Sequence, residues 1–252
     1  ALNKAKLIRL RQASTNPSLL SKPLKDALEN SEYHFDPNSQ FVNDSDVISN
    51  DSDFFRKICD YSENHIPVKF TSIKDLIINT IIPNNGKVII WTIFIQNAKE
   101  LRGYLKSFNI ESRLLIGEIN QMEREQTIDA FNNPNNQDFQ VVIANPFSVA
   151  ESISLHKGCH NAIYMERDYN CSNFLQSKDR IHRVGLSKGQ VTKYYYFVAK
   201  DSIDEVINHR LNIKIQRMEE IIDDDIPLFS RINDDDESDI VSDLIANYAK
   251  RS

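Results

Sequence analysis

Arg180 and Arg183 stand three residues apart in Gln176-Ser177-Lys178-Asp179-Arg180-Ile181-His182-Arg183-Val184-Gly185. On a helix that spacing puts both side chains on one face, where two guanidinium forks can converge on a single anion, and a polyphosphate suits them. A solvated basic face would carry the same letters. Other candidate groups are weaker. His156, Cys159, His160 and Cys171 include metal-ligating types, but three crowded residues and one distant cysteine lack a zinc spacing, so they are expected to pack or hydrogen-bond in a loop. Gly86-Lys87 has neither the spacing nor the following hydroxyl of a GxxxxGK[ST] phosphate loop. Asp204-Glu205-Val206-Ile207 has the letters of a magnesium-binding acidic box, yet its periodicity places it on a helix.

The elements that must position these residues can be read from apolar spacing. Residues 4–20 form an amphipathic helix with Leu7 and Leu10 on its stripe, ended by Asn16-Pro17. Residues 29–53 are rich in Asn, Asp and Ser, as an extended loop or insertion would be. Helices over 54–61 and 72–82 follow, the second stopped at Pro83-Asn84-Asn85-Gly86. Strands then alternate with helices: strands over 87–93, 112–116, 140–144, 161–165 and 191–198, and helices over 98–108, 121–131, 175–183 and 203–220. This is how a parallel sheet covered on both faces is written. The pattern favours an α/β, three-layer RecA-like lobe, while periodicity alone also admits a flavodoxin-like or Rossmann sheet.

The segment around the arginines resembles motif VI of Swi/Snf-like superfamily 2 ATPases, Q-x-x-x-R-x-H-R-[IV]-G, with its fixed positions at Gln176, Arg180, His182, Arg183, Val184 and Gly185. The likeness extends over residues 4–220. Leu7 to Gln12, then Pro17 and Leu19-Leu20, resemble the LxRLRQ-x-x-x-x-P-x-LL helix before the second motor lobe. Gly86 to Thr92 resembles motif IV, and Gly117, Arg124, Ile128 and Phe131 match the helix after it. Thr192 to Ile207 resembles the strand and helix after motif VI. Two positions depart from the pattern: residues 144–156 contain no glycine where motif V is glycine-rich, and Ile93 stands where motif IV usually has Gln. The A-E-[GS]-x-S-L-H variant at 150–156 and Glu166-Arg167-Asp168-Tyr169-Asn170 look like a bacterial branch.

The resemblance implies a helicase C-terminal lobe of the P-loop NTPase type. Arg180 and Arg183 would be the catalytic arginine fingers for ATP and Mg2+ held mainly by an N-terminal RecA-like lobe of the same polypeptide. Gln176, Glu151 and Gly185 would support the ATP site, and Thr92, Ser152 and Asn170 would touch nucleic acid. Lys99, Arg102, Lys106 and Arg113 could add phosphate contacts to double-stranded DNA without reading bases. The expected activity is ATP-driven translocation by the two-lobed protein, with this chain inactive alone. The alternatives are a degenerate, non-catalytic binding lobe and an RNA helicase lobe. Expected domains are a helical lead-in and insertion over 1–65, the RecA-like lobe over 66–220 and an acidic extension over 221–252.

Composition is compatible with this expectation. Of 36 acidic and 30 basic residues, 11 acidic and one basic, Arg231, lie between Glu219 and Asp243, leaving 29 basic against 25 acidic elsewhere. The net charge of −6 therefore belongs to the tail, a possible strip for a protein partner, and leaves a phosphate-binding face open. The absence of an apolar run of about 18 residues argues against a membrane span. Three cysteines without CxxC pairing argue for reduced thiols and a cytoplasmic setting.

Overall fold

The computed structural model describes residues 2–21, 52–148, 153–182, 190–223 and 242–246. The chain divides into two compact units, Val68–Val198 with Ile207–Leu228, and Ala1–Pro67 with Ala199–Val206 and Phe229–Ser252.

The larger unit is built on five parallel strands: β1 (Val88–Trp91), β2 (Ser112–Leu115), β3 (Val141–Ala144), β4 (Asn161–Tyr164) and β5 (Lys193–Tyr196). Their order across the sheet is β2-β3-β1-β4-β5. Val88 pairs with Val141 on one side and Asn161 on the other, which centres β1. VIIW in β1 and VVIA in β3 are apolar at every position because both faces of the sheet are covered. Alternate residues divide the core in two. Ile89, Trp91, Val142, Ala144 and Tyr164 share one cluster with Phe131, Phe174 and Leu211. Val88, Ile90, Val141, Ile143 and Ile163 share the other with Ile73, Ile77, Leu101 and Leu105. Each large side chain removed from water contributes about 1.5–3 kcal/mol.

Numbering helices along the whole chain, α1 is Leu2–Thr15 and α2 is Ser52–Asn64; α3 is Val68–Leu76, running on through a π turn and a 3-10 turn to Asn84. Asn85, at φ 50°, closes this end in the left-handed conformation that asparagine tolerates. The remaining helices are α4 (Ile95–Lys106), α5 (Gln121–Asn132), α6 (Cys171–Asp179) and α7 (Ile203–Asp223). Asn120 caps α5 by accepting the Glu123 amide at 2.9 Å, and Asn170 caps α6 by accepting the Asn173 amide at 3.1 Å.

The second cap corrects a boundary. The helix expected over 175–183 starts at Cys171 and ends at Asp179, leaving Arg180 as the residue beyond its last turn. The Arg180 carbonyl accepts the Leu155 amide at 2.8 Å, and the Ile181 amide turns back to the Lys178 carbonyl at 3.2 Å. A tertiary partner thus takes the carbonyl that a longer helix would have used. Arg183, the other half of the expected pair, lies outside the described residues.

In the smaller unit, α1 ends at Asn16, whose side chain caps the 3-10 turn Pro17–Leu20. Leu20 and Ile58 are buried together with Ala13 beside them. The Asp204 carboxylate accepts the Ser14 hydroxyl at 2.8 Å and the Ala199 amide at 3.0 Å. Both of its oxygens therefore serve the start of α7. The expected insertion over 29–53 and the acidic extension lie almost wholly outside the described residues.

Candidate nucleotide and nucleic-acid site

In a parallel α/β sheet the carboxyl ends of the strands are where loops converge on ligands. Here the chain leaving β1 meets the chains leaving β3 and β4. The Thr92 amide donates to the Ala144 carbonyl at 3.0 Å, and the Met165 amide to the Trp91 carbonyl at 3.0 Å. Just beyond them lies a buried polar network. The Glu166 carboxylate accepts the Ile93 amide at 3.0 Å and the Asn97 side-chain amide at 2.7 Å. It also accepts the Thr92 hydroxyl, and the Lys69 ammonium attracts it. Glu166 is 5% exposed and Asn97 is fully buried. Burial pushes the Glu166 carboxyl above the usual carboxylate range, opposed by Lys69 and by the hydrogen bonds from Thr92, Asn97 and Ile93. The Lys69 ammonium donates to the Met165 carbonyl at 2.9 Å.

Asn145, at the end of β3, turns its side chain the same way. Its amide Nδ2 donates to the Ile93 carbonyl at 2.7 Å, while Oδ1 accepts the amides of Phe147 and Ser148 at 3.0 and 3.3 Å. Arg124 spans the next gap, donating to the Ser148 carbonyl at 2.8 Å and to the Ile116 carbonyl at 3.3 Å. Gly117 sits against this turn; a Cβ there would lie 3.4 Å from Ser148 Oγ.

The residues expected to contact nucleotide or DNA are differently placed. Thr92 is fully buried and its hydroxyl serves Glu166 and the Phe94 carbonyl, the latter at 3.4 Å. As folded it presents no side-chain group to solvent. Asn170 is half-buried and spends its side-chain oxygen on capping α6. Gln176 is exposed on α6. Arg180 is half-buried, and its Nη1 lies 3.4 Å from the Ile153 carbonyl. Glu151, Ser152, Arg183 and Gly185 lie outside the described residues. Of the basic residues proposed for phosphate, Lys99 pairs with Glu118 at 2.8 Å and Arg113 lies over the Phe139 ring at 5.5 Å. Arg102 and Lys106 are exposed on α4.

The sequence gives Glu166, Asn145, Asn97, Lys69 and Arg124 no individual role. The legible signal is a carboxylate directly after the apolar run Ala162 to Met165, where burial demands partners.

The histidines and cysteines have packing partners. Cys159 is fully buried, its thiol pushed up to about 12 by burial, and its sulfur donates to the Asn161 carbonyl at 3.1 Å. His156 Nδ1 bonds the Ser154 hydroxyl at 2.6 Å, and His160 Nε2 bonds Gln190. Among the described residues no three His, Cys, Asp or Glu side chains converge as metal ligands, and no helix is long and apolar enough to cross a membrane.

Comparison with known proteins places this architecture. Residues 68–185 match the family described as Helicase conserved C-terminal domain. The ATP-dependent helicase fft3 of Schizosaccharomyces pombe is 30% identical over 148 residues, 58% of this chain and 15% of fft3. The chain thus spans a small part of that relative's length. Among solved structures, the C-terminal part of the Fun30 ATPase domain superposes with a TM-score of 0.56 at 21% identity, covering 81% of this chain and 70% of the other. The Sulfolobus solfataricus SWI2/SNF2 ATPase core in complex with dsDNA superposes with a TM-score of 0.50 at 18% identity, covering 83% and 44%. The five-stranded parallel sheet is thus a RecA-like lobe, and residues 68–185 are similar to helicase C-terminal domains.

Proposed function

We propose that this chain is the C-terminal motor lobe of an ATP-dependent double-stranded DNA translocase, working with an N-terminal RecA-like lobe of the same polypeptide that holds most of the ATP and Mg2+. The observation that carries this reading is the join between the segment after β3 and the end of α6. The Leu155 amide meets the Arg180 carbonyl at 2.8 Å, and the Arg180 guanidinium reaches the Ile153 carbonyl at 3.4 Å. This join fixes the backbone from which Arg180 extends. A guanidinium is permanently charged and presents a planar fork, which suits it to phosphate oxygens that gain charge in the transition state. ATP supplies the phosphoryl group whose transfer to water drives the cycle.

The site has a contribution to make only when two lobes meet. No GxxxxGK[ST] loop occurs in the sequence, so Arg180 and Arg183 act on nucleotide held elsewhere. Opening and closing of the two lobes would then advance the protein along DNA. The double-stranded DNA bound by the Sulfolobus relative supports duplex DNA as the track. Contacts limited to phosphate make binding indifferent to sequence and sensitive to salt. The A-E-[GS]-x-S-L-H variant over 150–156 and the segment 166–170 support a bacterial branch of the family.

The test is steady-state ATP hydrolysis by the two-lobed protein with and without duplex DNA, beside the 252-residue chain alone. Stimulation by duplex DNA in the first, with no turnover above background in the second, is expected. Turnover by the isolated chain would contradict the two-lobed site, and a two-lobed protein that binds DNA without hydrolysing ATP would favour a non-catalytic binding lobe. Stimulation by duplex RNA in preference to DNA would favour the RNA helicase reading.

A further inference from the structure

The backbone of Ile93 is held at both its N–H and its carbonyl, which belong to successive peptide units, by side chains arriving from two other strand ends. Its N–H donates to Glu166 Oε2 at 3.0 Å, just past β4, and its carbonyl accepts Asn145 Nδ2 at 2.7 Å, just past β3. The Ile93 side chain has no polar group, so the backbone alone makes these bonds. Asn145 is 4% exposed and also fixes its own turn through Phe147 and Ser148. Glu166 is fixed in turn by Asn97 at 2.7 Å and by the Lys69 charge.

Stability alone gives little reason for such an arrangement. An ionisable group removed from water costs several kcal/mol by about the amount its partners return, and apolar replacements of buried ion pairs are often neutral or stabilising. A fully satisfied polar network does something that apolar packing does not: it fixes one geometry among many of similar energy. The geometry fixed here is that of the turn Thr92–Phe94 against the turn Asn145–Ser148, at the edge of the sheet assigned above to nucleotide and DNA.

We infer that Asn145 and Glu166 are positioning residues that couple these two turns through the backbone of Ile93 and thereby transmit DNA engagement to ATP turnover. The inference rests on the motor-lobe reading. Neither residue needs to touch ATP or DNA. Each holds the backbone that does, and a displacement of about 1 Å in such a support is enough to cost on the order of a hundredfold in rate.

The experiment uses the two-lobed protein with Glu166→Gln, Asn145→Asp and the double variant. Glu166→Gln keeps the size of the side chain and one carbonyl acceptor. Asn145→Asp keeps the oxygen that Phe147 and Ser148 need and removes the donor to Ile93. Readouts are kcat with and without duplex DNA, the KM for ATP, thermal midpoints, and hydrogen exchange at the Ile93 amide. Each single variant is expected to lower DNA-stimulated kcat by about tenfold to a hundredfold, with KM for ATP moving by less than about twofold. Exchange at Ile93 should accelerate, and the double variant should fall short of the product of the single effects because both act on the backbone of one residue. Stimulated turnover within about twofold of wild type in either variant that melts normally would overturn the inference, as would a loss shared equally by the unstimulated rate. If one variant does not fold, the other decides. A wild-type protein with no response to DNA would instead overturn the motor-lobe reading on which the inference stands.

Discussion

The Arg180 carbonyl accepts the Leu155 amide at 2.8 Å, so the residue that follows the last turn of α6 is fixed to the segment that follows β3. The contact ends the helix and makes the placement of one arginine depend on a loop some 25 residues upstream, as the pairing of residues 155 and 180 shows. Arg180 therefore has a structural role as well as a charge.

Substituting the two arginines separately should expose that role. In the two-lobed protein Arg183→Ala is expected to lower kcat by about 10³-fold while duplex-DNA affinity survives, as the loss of an arginine finger does. Arg180→Ala should lower kcat as well and also reduce the thermal midpoint, because its guanidinium reaches the Ile153 carbonyl. Steady-state kinetics and melting curves on both variants test this. Near-normal turnover after either change would reduce that arginine to a surface charge.

Glu166 should leave a pH signature in the stability of the chain. Burial raises its pKa above the ordinary value of 4.5, so the folded state holds the proton more tightly than the unfolded one. The stability this contributes is fully present below the unfolded value and is lost as pH rises through the folded value. Wild type should therefore lose ground relative to Glu166→Gln as pH increases from about 5 towards about 8, read as the difference in urea midpoints. A difference that moves the other way would mean that Lys69 and the amide donors outweigh desolvation.

Gly158 is set by space. A Cβ at this position would lie 2.2 Å from the Phe131 carbonyl oxygen and 2.8 Å from Asn132 Cα, both backbone atoms that cannot swing aside. Gly158→Ala is expected to cost about 1–3 kcal/mol as overpacking, or more if α5 cannot shift. Denaturant unfolding of the 252-residue chain measures it, with a lower midpoint and an unchanged slope as the expected result.

Lys87 acts on the same end of α5. Its buried ammonium donates to the carbonyls of Phe131 and Asn133, each at 2.8 Å, satisfying acceptors that the helix itself leaves open. Lys87→Met keeps the aliphatic stem and deletes both bonds, and should cost about 2 kcal/mol or more because two carbonyls lose their partner. Combined with Gly158→Ala the cost should be less than additive, since both changes disturb the Phe131 carbonyl. Strict additivity in the double variant would show that the two act independently.

By itself the sequence determined the parts and their order. Short apolar runs such as Val88 to Trp91 and Val141 to Ala144 read as strands covered on both faces, and Asn16, Asn85 and Asn120 mark boundaries by local hydrogen bonding or by tolerating a positive φ. Local rules suffice there because the partners lie within four residues. Tertiary structure decided what meets what. The order β2-β3-β1-β4-β5 places β1 between β3 and β4, and only that adjacency brings Asn145 and Glu166 to the backbone of one residue, Ile93. It also buries Thr92, whose hydroxyl a strand-end pattern would assign to solvent, and ends α6 before Arg180 by giving that residue's carbonyl to Leu155. Periodicity reports which face a residue occupies. It contains no term for the distant group that satisfies a buried polar atom, and that long-range pairing is what shapes the edge of this sheet.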